Sequence, residues 1–168
     1  MRSPDAECLR KRLRLAPHPE GGFYRETYRA TLRLPRRTLP ARYAGARAAA
    51  TSILFLLPAG ALSRLHRLAS DEVWHFHLGG PLVLVELRRG QRARRVTLGP
   101  NPSRGHRLQH AVRAGTWFGA WPAPGSAFAL VGCTVAPGFD FKDFAMGDRA
   151  SLLREFGEAR REILRLTV

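Results

Sequence analysis

Apolar residues recur along this chain in short bursts cut by glycine, proline and asparagine, a rhythm that predicts many short strands rather than long helices. Residues 51–57 (TSILFLL) are apolar on both parities, the pattern of a strand with both faces covered. Residues 81–88, 94–98, 107–112, 116–121 and 127–135 each predict a further strand. Residues 23–30 predict a mixed aromatic and charged one, in which Tyr24, Glu26 and Tyr28 alternate with Phe23, Arg25 and Thr27. Strands of this length and spacing indicate a sandwich or barrel.

The two ends differ. Residues 4–14 predict a short helix, with Ser3 as cap, Pro4 at the first helical position and Leu9 and Leu13 on one face. Residues 31–50, rich in Arg, Pro and Ala, read as a long loop. Residues 148–166 predict one helix capped by Asp148, with Leu152, Leu153, Phe156, Ala159, Ile163 and Leu164 on a face that packs outside the barrel. One domain over residues 1–168 is expected, its core spanning about 20–144, because domains commonly run about 100–150 residues.

Composition changes this picture little. The start of the chain has charge but no continuous apolar run, and the apolar stretch 53–62 is broken by Pro58 and Gly60, so neither a secretory signal nor a membrane span is signalled and a cytoplasmic location is expected. Cys8 and Cys133 form no C-x-x-C pair and read as reduced thiols. The net charge of +15 raises a nucleic-acid partner. However, lysine occurs only at positions 11 and 142, so 26 of the 28 basic residues are arginine, and they are dispersed. That skew is what a GC-rich coding sequence produces on a solvated surface, and it argues against a nucleic-acid role.

Candidate chemistry concentrates in residues 60–79, GALSRLHRLASDEVWHFHLG. Period-two alternation puts Arg64, His66 and Leu68 on one strand face and Glu72, Trp74, Phe76 and Leu78 on one face of the next. If His66 points into a barrel, Arg64, Trp74 and Phe76 follow it, giving an aromatic interior with a few polar groups, the usual make-up of a small-molecule pocket. His75 and His77 then lie on the opposite face, as a structural pair between layers or a surface metal pair. His66 and Glu72 are the candidate catalytic acid and base, or alternatively metal ligands.

Gly60, His66, Glu72 and Gly79 occupy four of the five fixed places of the first cupin signature, G-x-x-x-x-x-H-x-H-x-x-x-E-x-x-x-x-x-x-G; Leu68 stands where a second His is expected. The second signature survives only as Gly115, with Arg113 in the Pro place, Phe118 in the His place and Pro122 in the Asn place. The segments PHPEGGFYRETYR, TSILFLL, AGTWFGAW and LVGCTVAPGFDFKDF resemble, in order, a subgroup of small single-domain cupins of unknown function. The resemblance implies an all-β double-stranded β-helix barrel with flanking N- and C-terminal helices, a homodimer and a small-molecule pocket. It brings Glu20, Arg25 and Glu26 of the opening segment to that pocket, with Gln109 at its mouth, Trp74, Phe76, Trp117 and Phe118 as stacking surface and Arg64 as charge partner. The resemblance implies no established reaction; the leading expectation is a small-molecule-binding cupin acting as an isomerase, epimerase or lyase on a polar or sugar-like ligand. The alternatives are an oxygenase or isomerase using a divalent transition metal on His66 and Glu72, and a non-catalytic binding module.

Overall fold

Residues 51–57 lie at the centre of a sheet because both of their faces find cover. Phe55 and Leu57 point into the barrel core, while Leu54 and Leu56 meet the N-terminal helix on the outside. The computed structural model describes residues 5–168. In chain order it comprises helix α1 (Ala6–Arg12), strands β1 (Ala16–Pro17), β2 (Phe23–Arg29), β3 (Arg33–Leu34), β4 (Arg47–Ala48), β5 (Thr51–Pro58), β6 (Ser63–Leu68), β7 (Asp71–Gly79), β8 (Leu82–Glu86), β9 (Arg94–Leu98), β10 (Gln109–Val112), β11 (Phe118–Pro122), β12 (Phe128–Ala136) and β13 (Phe144–Met146), and helices α2 (Arg149–Glu155) and α3 (Arg160–Leu166).

Two antiparallel sheets face each other, one in the order β1-β2-β5-β12-β7-β10 and the other β13-β6-β11-β8-β9, with β3 and β4 as a separate ribbon. The fold is the expected cupin β-barrel. Its inner core joins Phe55, Trp74, Leu84, Phe118, Val131 and Cys133 from both sheets. Outside, α2 and α3 seat Leu152, Phe156, Ile163 and Leu166 against Leu65, Val85 and Trp121. Each such buried side chain contributes about 1.5–3 kcal/mol.

Several expectations need correction. The cap of α1 is Asp5, whose carboxylate accepts the Cys8 amide at 2.7 Å; Ser3 and Pro4 lie outside the described residues. The C-terminal helix is two helices, because the chain leaves helical geometry at Phe156 and turns through a 3-10 segment before α3. Leu164 is consequently exposed rather than on the packed face. The loop at 31–50 carries the β3–β4 ribbon and is pinned by a buried ion pair, Arg47 to Asp143, with both N–O distances 2.6 Å.

Strand parity is broken in the two places that matter most. Phe118 faces His66 across β6 and β11, but Ala120 faces Ser63, so β6 carries one extra residue. A bulge of this kind flips the side-chain alternation on either side of it. Ser63 and His66 therefore both reach the interior side, while Leu65 packs outward against the helices. A second bulge, at His77 of β7, separates Phe76 from Leu78, which is exposed.

Candidate functional site

One end of the barrel holds a cavity of about 700 Å³. The first sheet contributes Tyr24, Phe55, Glu72 and Cys133 to its walls, the turn between β1 and β2 contributes Glu20, β6 contributes His66 and Leu68, and the segment after β12 contributes Phe139, Phe141 and Phe144.

Glu20 is set by the chain around it. The Glu20 amide donates to His18 Nδ1 at 3.2 Å, and the Glu20 carbonyl accepts the Arg64 amide at 2.9 Å. Gly21 follows at φ +111, and a Cβ there would run into the Leu62 carbonyl oxygen, so only glycine lets the chain pass this close to β6. The result is a carboxyl group buried against Ser63, whose hydroxyl donates to Glu20 Oε1 at 2.7 Å.

His66 Nδ1 lies 2.7 Å from the Arg64 carbonyl oxygen, which can only accept, so the ring proton sits on Nδ1. Its Nε2 lone pair then points to Glu20 Oε2 at 3.3 Å. Burial pushes Glu20 up to about 8, against the Ser63 hydrogen bond and the Arg64 charge. The same burial holds His66 below its ordinary value, although Glu72 opposes it. The pair is therefore a protonated carboxyl donating to a neutral imidazole, not an ion pair. His18, 3.4 Å from Glu20 Oε2, is lowered to about 4 by burial and by the proximity of His66, and is neutral as well.

Glu72 completes the constellation from β7. Its Oε2 accepts the Trp74 indole N–H at 3.0 Å, and the Cys133 thiol is a second partner. Burial raises Glu72 to about 7, with His66 opposing and Glu20 assisting the shift. Cys133 is raised well above the ordinary thiol range by burial and the two carboxyl groups, so it acts as a donor, not a nucleophile.

Of the residues named from the sequence, Glu20, Arg25, Glu26, His66 and Glu72 line this cavity. The others do not. Arg64 turns away at the β6 bulge, and its guanidinium holds the Pro19 and Glu20 carbonyls. Trp74 is fully buried behind Glu72 and offers no stacking surface. Phe118 is a core residue with its ring centroid 4.1 Å from that of His66. Trp117 sits on the outside beneath the Arg67 guanidinium, 4.7 Å away. Phe76 and Gln109 border a separate shallow depression with His75, where Gln109 Nε2 lies 2.7 Å from His75 Nδ1 and His75 Nε2 meets Thr134 at 3.1 Å. His18, Tyr24, Phe139, Phe141 and Phe144 are wall residues that sequence reasoning missed. Three phenylalanines within six residues are a visible signal in the sequence. In the fold a 3-10 turn at Phe141–Asp143 intervenes, so all three rings meet.

The donor set does not fit the transition metal that a cupin barrel brings to mind. Among the described residues no three His, Cys, Asp or Glu side chains converge as metal ligands. Leu68 and Phe118 fill the places of two expected imidazoles, and the His66 lone pair is engaged by Glu20. Among the described residues no helix is long and apolar enough to cross a membrane.

Comparisons with known proteins agree with this architecture. The chain is similar over nearly its whole length to a hypothetical protein from Leishmania major, at 36% identity, covering 98% of this chain and 99% of that one with a TM-score of 0.87. A protein from Shewanella oneidensis is similar at 34% identity, with 99% of each chain covered and a TM-score of 0.86. Oxalate decarboxylase from Bacillus subtilis shares the fold alone, at 15% identity and a TM-score of 0.52 over 90% of this chain and 37% of that one. Among curated proteins no significant match is found. The family model described as Cupin superfamily (DUF985) matches residues 7–147, and the chain belongs to that family.

Proposed function

We propose that this chain is a small-molecule-binding cupin that moves protons on its ligand, as an isomerase, epimerase or lyase does. The observation that supports the reading is the convergence of Glu20, His66 and Glu72 on one cavity, with two buried carboxyl groups shifted toward neutrality, Glu20 to about 8 and Glu72 to about 7. Titratable groups gathered and shifted in this way suit general acid–base catalysis, which contributes about 10²–10⁴-fold to a rate. Glu20, held by the Ser63 hydroxyl and facing the His66 lone pair, is the acid, and Glu72 is the base. His66 shares the Glu20 proton and returns it. The aromatic wall supplies the apolar surface on which a ligand is held.

The test is proton exchange in D₂O. Aldoses, ketoses, hydroxy acids and keto acids are incubated with the protein and followed by proton NMR. Loss of the signal α to a carbonyl with the wild-type chain, and not with Glu72→Gln, is the expected result. A ligand that shows saturation transfer from the protein but exchanges no proton would make the chain a binding module and end the catalytic reading.

A further inference from the structure

We propose that the ligand of this cavity carries an oxyanion, a carboxylate or a phosphate ester, bound at the rim by Arg14, with its apolar body against the phenylalanine wall. The inference rests on the cavity being a ligand site but not on proton transfer within it.

Three arginines, Arg14, Arg25 and Arg29, line the cavity. Arg29 is committed: it grips Glu26 with two hydrogen bonds of 2.8 and 2.7 Å and reaches the Phe139 carbonyl. Arg25 stands opposite Leu54 of β5, so its side chain leaves on the outer face of the sheet with Phe23. Among the described residues the exposed Arg14 guanidinium makes no ion pair and no hydrogen bond. Exposure alone decides nothing in a chain so rich in arginine. Its place on the cavity does.

Arg14 also occupies a backbone position that disfavours a side chain. It follows the C-cap of α1 at φ +54, where its amide bonds to the Lys11 carbonyl and the next amide to Arg10. Glycine is the usual occupant there, because L side chains crowd the backbone at positive φ. Among the described residues Arg14 is the only non-glycine residue at positive φ. A cation is thus held at the cavity edge against local preference, a pattern that marks functional positions.

The carboxylates nearby do not cancel this charge. Glu26 is occupied by Arg29, and Asp140 caps the 3-10 turn by accepting the Lys142 amide at 2.9 Å. Deeper in, burial favours the neutral forms of Glu20 and Glu72. Phe139 and Phe144 line the same cavity, with Phe141 half-exposed and its ring 6.2 Å from His18 in a stacked arrangement. A cationic rim above an apolar, aromatic wall selects a molecule with an anionic end and a flat or apolar body.

The experiment uses phenyl phosphate, benzoate and benzyl alcohol as probes, titrated calorimetrically at pH 6 and low salt. Both anions are expected to bind at least about tenfold more tightly than the alcohol, the effect of one charge-assisted hydrogen bond. Arg14→Gly should weaken the anions by about tenfold and leave the alcohol unchanged, while Arg25→Gln, on the outer face, and Arg37→Gln, away from the cavity, should change neither. Arg14→Gly installs the residue the backbone prefers, so it should fold at least as well as the parent. Whichever anion binds more tightly identifies the oxyanion as phosphate or carboxylate. Equal affinity for anions and alcohol, full anion affinity in Arg14→Gly, or no anion binding at millimolar concentration would each overturn the proposal. Anion binding with no proton exchange on any compound would instead overturn only the catalytic reading.

Discussion

Glu20 Oε2 and His66 Nε2 lie 3.3 Å apart although the residues are 46 positions apart in sequence, and the other ring nitrogen of His66 is committed to the Arg64 carbonyl. That commitment fixes the tautomer, so the short link runs from a protonated Glu20 to a neutral ring. A buried carboxyl next to an imidazole would ordinarily be read as an ion pair; here burial of both groups decides otherwise.

Stability should carry the signature of this pair. Glu20 and Glu72 have folded values of about 8 and about 7, above the 4.5 of a free glutamate, so their contribution is complete at acid pH and is lost as pH rises through 7–8. His18, lowered to about 4, acts in the opposite sense: its contribution is present above about 6.5 and is lost as pH falls through 4. In urea titrations from pH 5 to 9, Glu20→Gln should lose less stability with rising pH than the parent does. A difference between the two proteins that stays constant over that range would show that Glu20 does not titrate there.

Glu72→Gln keeps the shape of the side chain and removes its charge. The substitution should change stability by no more than about 1–2 kcal/mol, near the usual centre for point mutants, while abolishing ligand binding or turnover. A large fall in melting temperature with ligand affinity intact would identify Glu72 as a structural partner of Trp74.

Asp143→Ala should cost about 3–5 kcal/mol, because it leaves the Arg47 guanidinium buried and unpaired. The double change Arg47→Met with Asp143→Leu should recover most of that loss, since neither charge then remains. Chemical denaturation of the parent and the two variants checks both expectations.

Two glycine substitutions separate backbone strain from collision. Gly60 has φ +78 with open space around a notional Cβ, so Gly60→Ala should cost about 1 kcal/mol. At Gly21 the same change adds a collision with the Leu62 carbonyl to the strain of φ +111, so Gly21→Ala should cost clearly more and displace Glu20 from Ser63. Thermal melts, with the pH dependence of each variant, check both.

A homodimer is the expected assembly. β1 pairs only with Phe23 and Tyr24, leaving the rest of β2 as an unpaired edge that includes the exposed Tyr28. Light scattering at micromolar concentration should give twice the chain mass, and Thr27→Pro on that edge should shift it toward the monomer; a monomer mass for the parent would rule the assembly out.

Much of this protein was legible in the chain alone, because the signals were local. The apolar bursts placed β2, β5 and β8–β12 within about two residues, though not the short β1 and β13, and the glycines of the signature, Gly60 and Gly79, sit where the backbone adopts positive φ. Glu20, Arg25, His66 and Glu72 could be named as pocket candidates, and all four line the cavity. What tertiary structure decided was which side chains meet. Period-two reasoning holds only along an unbroken ladder, and the extra residue in β6 moved Arg64 off the face of His66 and brought Ser63 to Glu20 instead. Trp74 lies on the predicted face yet offers no ligand surface, because its indole is closed behind Glu72 by the opposite sheet. The phenylalanine wall formed only when the segment after β12 folded back onto β6, with Asp143 captured by Arg47 from a loop that had no readable pattern. Each of these outcomes depends on contacts between distant segments, and no periodicity along the chain encodes them.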